Sequence, residues 1–106
     1  MDAEHTATRT ILHEKINYFR SKKHEYTNAT WLESITPIQS LVLGSNKLTK
    51  DLAAYLKQQA LNVSAVMHPT VPEGKERLRI CLHAFNSFDE IDQLHQSIQD
   101  FLWKRQ

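Results

Sequence analysis

Hydrophobic residues recur with a helical period near the start of the chain. Leu12, Ile16 and Phe19 are separated by three or four residues, and Ile11 stands beside them. Because one helical turn takes between three and four residues, this spacing predicts a helix over residues 8–23. The apolar stripe is narrow for a helix that packs on a core.

The segment after this helix has no clean period. Residues 24–35 mix polar and aromatic side chains, and we interpret them as a connecting loop. Large apolar side chains are seldom left in solvent in a connecting loop without a reason. We therefore expect Trp31 and Leu32 to hold the loop against the core or against a partner.

Three short apolar runs predict β-strands at residues 38–43, 63–67 and 77–83. The third run alternates charged and apolar residues. Successive side chains of a strand point to opposite faces, so this strand is expected to have one apolar and one charged face.

Two further helices are marked by their first residues. Ser45 or Asn46 is placed to cap the first of them. Ser87 begins the second, and Glu90 three residues later completes the pattern of a capping box. The apolar face of the first consists of Leu48, Leu52, Tyr55 and Leu56. The apolar face of the second consists of Ile91, Leu94, Ile98, Phe101 and Leu102.

The resulting order, α-β-α-β-β-α, indicates an α+β fold. We predict a small, mainly antiparallel sheet of about three strands with the helices on one face. The chain is interpreted as one domain, in which residues 1–35 form an entry helix and connecting loop. Residues 36–106 form the α/β sandwich core.

Composition and charge fit one small folded domain. The chain has 106 residues, 41% of them hydrophobic and 24% charged, which are ordinary globular values. A net charge of +1 gives no strong field for nucleic acid or an anionic membrane. No apolar run approaches the roughly 20 residues that span a bilayer. The first residues lack the regions of a signal peptide, so we expect a cytoplasmic protein.

Neither the cysteine nor the histidines indicate a disulfide or a metal site. Cys81 is the only cysteine and is most simply a small core residue. Six histidines show no ligand spacing typical of zinc. His13 and His95 are expected on polar helix faces, in solvated or capping roles. The basic residues 22–24 stand at a predicted helix end, where they complement the helix dipole.

The loop before the third strand is stiffened by two prolines. Pro69 and Pro72 fix their own backbone angles and restrict the residue before each, so Thr70 should have little freedom. Arg77 and Arg79 then share one face of the strand. A guanidinium group can bind both oxygens of a carboxylate at once. The alternative is that both arginines are solvated on the outer face of an edge strand.

This segment also resembles a known family. Pro-Thr-Val-Pro-Glu-Gly at residues 69–74 with Arg-Leu-Arg-Ile at residues 77–80 closely resembles the pyridoxal-phosphate-dependent α-oxoamine synthases, and among them the 8-amino-7-oxononanoate synthases. Thr-Pro-Ile-Gln-Ser-Leu at residues 36–41 is similar to their Ser-Pro-Ile-Gln-Pro-Leu-type strand. Asp-Glu-Ile-Asp-Gln-Leu at residues 89–94 is similar to the start of their last helix, and Asn-Tyr-Phe-Arg at residues 17–20 to the helix that enters their small domain. The order and spacing agree over nearly the whole chain.

The resemblance implies a fold and a set of substrate-binding residues. It implies the C-terminal small domain of a fold-type I enzyme that condenses an amino acid with an acyl thioester in biotin biosynthesis. Arg79 matches the family arginine that binds the α-carboxylate of the amino acid. Thr70 matches a loop threonine near the substrate, and His68 flanks that loop. Where the family commonly has an arginine and a proline, this chain has Met67 and His68, which leaves the acyl donor open.

The resemblance also implies parts that these residues do not supply. In the family, pyridoxal phosphate is held by a lysine in a Ser/His-Lys motif of a large domain, and no lysine of this chain stands in that motif. Only two glycines are present, too few for a glycine-rich phosphate loop. We therefore expect no catalytic, cofactor-binding or metal-binding residue in this chain, and no catalysis by it alone. The partners implied are the large domain and a second copy of the enzyme.

Two other functions remain open. Small α/β domains can bind an amino acid or another carboxylate without performing chemistry, and this chain could be such a free-standing domain. It could also be an interaction module that caps a separate large domain. In either case, the narrow stripe of the first helix predicts an exposed apolar surface, and therefore self-association through that helix or the Trp31 loop.

Overall fold

The computed structural model describes residues 3–59 and 61–104, with side chains described from residue 8 onward. These residues form three helices and four strands. Their order is α1 (Ala3–Ser21), β1 (Thr30–Trp31), β2 (Ile38–Val42), α2 (Asn46–Tyr55), β3 (Asn62–Val66), β4 (Arg77–Cys81) and α3 (Phe88–Trp103).

The strands form one antiparallel sheet in the order β1-β2-β4-β3. The predicted α+β class is confirmed, with one strand more than expected. The additional strand lies inside the predicted loop, where Thr30 and Trp31 pair with Val42 and Leu41 of β2. Such a two-residue strand is too short to leave a period in the sequence.

The position of β4 in this sheet decides whether Arg77 and Arg79 lie on an edge strand. β4 lies between β2 and β3 and pairs with both along its whole length. The alternative that Arg77 and Arg79 belong to an edge strand is therefore wrong. The last two residues of the predicted strand, Leu82 and His83, fall outside β4, which ends at Cys81.

One face of the sheet is packed under the helices. Leu41, Leu78 and Ile80 point to this face and are fully buried. Most of the predicted faces of α2 and α3 pack there as well: Leu52, Leu56, Ile91, Leu94, Ile98 and Leu102 are fully buried, and Phe101 nearly so. Tyr55, which was expected on the apolar face of α2, is 50% exposed. Burying a Leu or Ile side chain contributes about 1.5–3 kcal/mol, so this layer holds the sheet and helices together.

The opposite face of the sheet, called the open face below, carries side chains that are exposed or half-buried. Strand alternation and register place the following residues on it: Thr30, Ile38, Ser40, Val42, Asn62, Ser64, Val66, Arg77, Arg79 and Cys81. The prediction that Cys81 is a core residue is wrong. Cys81 lies on the same face as the arginines, because it is two residues from Arg79 along β4.

Both predicted helix caps are present. The Ser45 side chain accepts a hydrogen bond from the Leu48 amide at 3.1 Å. At the start of α3, the Ser87 hydroxyl accepts from the Glu90 amide at 3.0 Å, and the Glu90 carboxylate accepts from the Ser87 amide at 2.8 Å. These bonds satisfy amides that the helix itself leaves without acceptors.

Helix α1 joins the core at its C-terminal end. Phe19 is fully buried and Ile16 nearly so, whereas Ile11 is 43% exposed. Trp31 packs edge-on against Phe19, and its indole N–H donates to the His24 carbonyl oxygen at 3.1 Å. The prediction that the loop is held against the core is thus confirmed for Trp31, whereas Leu32 is exposed. Among the helices described, none is long and apolar enough to cross a membrane.

His95 does not lie where the sequence suggested. The prediction of a polar, solvated position is wrong, because His95 is only 3% exposed. Its ring packs against Phe19 and Trp31, with ring centroids 4.3 Å and 5.6 Å away. The end of α1 and strand β1 fold over this part of α3, which turns a position that looks peripheral into a buried one.

Candidate functional site

Arg79 occupies the middle of the open face. On one side it is directly opposite Ser40 of β2, and on the other it is directly opposite Ser64 of β3. Its side chain is exposed. In the part of the chain that the structure describes, no carboxylate forms an ion pair with it and no acceptor forms a hydrogen bond with it. Its charge is therefore available to a ligand.

The surroundings of Arg79 contain positive charge but no negative charge. Of the ten open-face residues, Arg77 and Arg79 are charged, and the others are neutral. Arg77 is half-buried, and its Nε donates to the Lys75 carbonyl oxygen at 3.1 Å. That bond turns part of the Arg77 guanidinium toward the backbone of Lys75, whereas Arg79 has no such bond among the residues described. The open face is therefore suited to an anionic group, and Arg79 is its freer donor.

Thr70 lies in a compact turn that leaves β3. The Met67 carbonyl oxygen accepts from the Thr70 amide at 2.9 Å and from the Val71 amide at 3.3 Å. The turn contains a cis peptide bond between His68 and Pro69. Thr70 itself is exposed. These backbone bonds hold the loop in a turn that also contains the two prolines.

The register places this loop at one end of the arginine strand. Val66, the last residue of β3, is directly opposite Arg77, the first residue of β4. Arg79 is two residues farther along, about 7 Å from that end of the sheet. The loop that carries Thr70 thus begins at the edge of the region around Arg79.

His68 lies on another side of the same loop. Its backbone amide donates to the Asn46 side-chain oxygen at 3.2 Å, at the start of α2. It lines a surface depression of about 410 Å³ whose other lining residues are Gly44, Ser45, Asn46, Glu73 and Glu76. Arg79 is not among them. The geometry therefore associates His68 with the N-terminus of α2 more closely than with the open face.

Glu76 organises this end of the sheet and was not identified from the sequence. It is only 3% exposed, and its carboxylate accepts from the Gly74 amide at 2.9 Å. Its carbonyl oxygen accepts from the Leu43 amide at 2.8 Å and the Gly44 amide at 3.1 Å. Both glycines have positive φ, +75° at Gly44 and +91° at Gly74, which favours glycine. The two glycines were the only features of the sequence that could have indicated this turn. Glu76 itself has charged neighbours in the sequence, as residues on the surface usually do.

None of the lysines lies in a closed site. All eight are exposed or half-buried. Lys15 Nζ donates to the Asn86 carbonyl oxygen at 2.6 Å, and Lys23 lies over the Trp31 ring at 5.1 Å. Desolvation, followed by the charge of Arg20, lowers the pKa of Lys23. Since none of them faces an enclosed cavity with phosphate-binding groups, the residues described do not by themselves fit pyridoxal phosphate.

The histidines and carboxylates do not assemble into a metal site within residues 8–59 and 61–104. No group of three or more metal-ligating side chains is found there. Among the histidines whose side chains the structure describes, His13 lies in α1, His24, His68 and His83 lie in loops, and His95 lies in α3. His95 is occupied by packing and by a contact to the Phe19 carbonyl oxygen at 3.1 Å.

Comparison with known proteins gives the family. Residues 1–98 match the family described as aminotransferase class I and II. The 8-amino-7-oxononanoate synthase of Serratia proteamaculans is 41% identical over 92 residues, which are 87% of this chain and 24% of that protein. The synthase of Photorhabdus laumondii is 38% identical over 94 residues, which are 88% of this chain and 24% of that protein.

A solved structure agrees with this result. The crystal structure of 8-amino-7-oxononanoate synthase from Francisella tularensis superimposes with a TM-score of 0.71 and 26% sequence identity, covering 93% of this chain and 28% of that one. The chain thus spans about a quarter of the length of these relatives. The match over nearly all of its residues shows that the chain belongs to the aminotransferase class I and II family.

Proposed function

We propose that this chain is the C-terminal substrate-binding part of an acyltransferase like 8-amino-7-oxononanoate synthase. Such an enzyme condenses an amino acid with an acyl thioester in biotin biosynthesis. The observation that carries the proposal is the exposed, unpaired Arg79 at the centre of the open face. Arg79 belongs to a chain of the aminotransferase class I and II family, and relatives of this chain are named 8-amino-7-oxononanoate synthase.

Arg79 binds the carboxylate of the amino acid. A guanidinium group donates two parallel hydrogen bonds to the two oxygens of a carboxylate, which fixes both the distance and the plane of the ligand. Fixing that group also fixes the direction of the bond to be broken, and positioning of this kind is a large part of catalysis. The chain's contribution is therefore to orient the substrate.

Thr70 and His68 contribute the rim of the site. Thr70 is exposed on a loop that starts at the end of β3, next to the first residue of the arginine strand. His68 and Met67 stand on the same loop, and their side chains influence which acyl group is accepted.

The remaining parts come from a partner. The large domain of the same enzyme would supply the lysine that holds pyridoxal phosphate, and the cofactor, when bound there, would supply an electron sink. A second copy of the enzyme completes a homodimer. Exposed apolar side chains of this chain, among them Ile11 at 43% and Leu32 at 38%, support contact with such partners.

The test combines this chain with a large domain from a related synthase. The chain is co-expressed with the portion of the Serratia synthase that precedes the matched segment, and the complex is purified. Bound cofactor absorbance and condensation of alanine with pimeloyl thioester are the expected results, with Arg79→Ala abolishing condensation while the absorbance stays. A complex that condenses equally well with Arg79→Ala contradicts the role of Arg79. Arg77→Ala serves as the matched control on the same strand.

A further inference from the structure

We propose that the Ser64 hydroxyl completes the carboxylate site of Arg79, so that ligands bind on the β3 side of the arginine. This inference rests on the proposed function, because it adds a second residue to the same site. Ser64 is directly opposite Arg79 in the register of β3 and β4. Side chains directly opposite each other on one face have Cβ atoms about 5 Å apart.

The carboxylate at this site has room for a donor beyond the guanidinium group. A carboxylate that accepts two bonds from an arginine still has lone pairs on both oxygens. A serine hydroxyl can donate to one of them, and it is short enough to leave room for the ligand above it. An acidic residue at this position would instead have neutralised Arg79. The hydroxyl leaves the charge of Arg79 uncompensated.

Arg79 has a serine on each side, and the surroundings distinguish the two. Next to Ser40 along β2 are Ile38 and Val42, both apolar, and Ile38 is 46% exposed. Next to Ser64 along β3 are Asn62 and Val66, so this side has a second polar side chain. A carboxylate loses less hydration energy beside polar groups than beside apolar ones.

The loop geometry favours the same side. β3 is the edge strand, and the loop with Thr70 leaves directly from its end. On the other side, β1 extends the sheet beyond β2, and the Ser40 carbonyl oxygen accepts from the Leu32 amide at 2.9 Å. A ligand held between Arg79 and Ser64 can therefore also reach the loop, whereas a ligand above Ser40 lies farther from it.

The experiment measures carboxylate binding by the 106-residue chain itself. Amide chemical shifts are followed by NMR during titration with L-alanine and with propionate, and n-propylamine serves as a ligand without a carboxylate. We expect Ser64→Ala to weaken binding of both carboxylates by about tenfold to a hundredfold, the range for one hydrogen bond to a charged acceptor. Ser64→Thr keeps the hydroxyl and is expected to retain binding.

Ser40→Ala is the matched control, because it removes the same group from the opposite side of the same arginine. It is expected to bind as the unaltered chain does. If Ser40→Ala weakens binding and Ser64→Ala does not, the inference is overturned. Equal binding by Ser64→Ala combined with loss of binding by Arg79→Ala also overturns it, but leaves the role of Arg79 intact. If Arg79→Ala has no effect, or the unaltered chain binds no carboxylate, both the inference and the role of Arg79 are overturned.

Discussion

His95 Nε2 lies 3.1 Å from the carbonyl oxygen of Phe19, across 76 positions of sequence. Because a carbonyl oxygen only accepts, Nε2 carries the proton and donates it, and the ring is neutral with its Nδ1 buried and unpartnered among the residues described. This contact ties the last helix to the end of the first. Burial disfavours the charged imidazolium and lowers the pKa of His95 from 6.5 to about 4.

The stability of the chain should therefore depend on pH. A histidine with pKa 6.5 in the unfolded chain and about 4 in the folded chain binds its proton first in the unfolded state as the pH falls. Its contribution is fully present above pH 6.5 and is lost between 6.5 and 4. Linkage gives a loss of about 2 kcal/mol in the free energy of unfolding from pH 7 to pH 5.

Urea denaturation at the two pH values measures this loss. His95→Gln cannot titrate and is expected to show a smaller difference between the two pH values. His13→Gln removes an exposed histidine of α1 and is the control. The prediction fails if His95→Gln retains the full dependence on pH.

Glu76 should determine the rigidity of the loop between β3 and β4. Glu76→Ala leaves the Gly74 amide without its carboxylate acceptor, and we expect a loss of about 1–3 kcal/mol in the free energy of unfolding. Hydrogen exchange at Gly74 should become faster. Glu73→Ala changes an exposed carboxylate of the same loop and should leave both quantities near their original values. Unchanged exchange at Gly74 in Glu76→Ala would contradict this account of the loop.

The capping box should contribute measurably to stability. Ser87→Ala removes the acceptor of the Glu90 amide and should cost about 1 kcal/mol in the free energy of unfolding. Ser21→Ala, at the exposed end of α1, is the matched serine control, since its hydroxyl only donates to the Tyr18 carbonyl oxygen. Thermal denaturation followed by circular dichroism compares the two, and equal melting temperatures would count against the cap.

Arg79 should bind a carboxylate through the two parallel N–H donors of its guanidinium group and not only through its charge. Arg79→Lys keeps a positive charge but loses the two parallel donors, so we expect carboxylate affinity well below that of the unaltered chain. Arg77→Lys is the control on the same face. NMR titration with L-alanine gives both affinities, and full affinity in Arg79→Lys would show that charge alone is sufficient.

Self-association is expected to involve α1 and the loop that follows it. Ile11 and Leu32 are 43% and 38% exposed, and replacing both by serine should shift the chain toward the monomer in size-exclusion chromatography with light scattering. Phe85→Ser removes a more exposed apolar side chain, at 94%, between β4 and α3, and should leave the oligomeric state unchanged. A monomeric unaltered chain at high concentration would contradict the expectation.

Some features follow from local sequence because their causes are local. The helix that begins after Ser87 is specified by its capping box and by the spacing of its apolar residues, and both are visible in the sequence. The alternation of Leu78 with Arg77 and Arg79 likewise determined which side chains share a face. The family could also be predicted, since its motifs keep their order along the chain.

Other features depend on what distant segments do to one another. The sequence by itself determined the α+β class and most element positions, since propensity and periodicity act within a few residues. The resemblance to a known family singled out Arg79 as the candidate ligand-binding residue. Only the tertiary structure decided that β4 is a central strand and that Ser64 and Ser40 flank Arg79, because strand order and register depend on pairing between remote segments. It also decided the burial of His95 and Glu76, since burial of a polar side chain depends on which remote backbone groups pack against it.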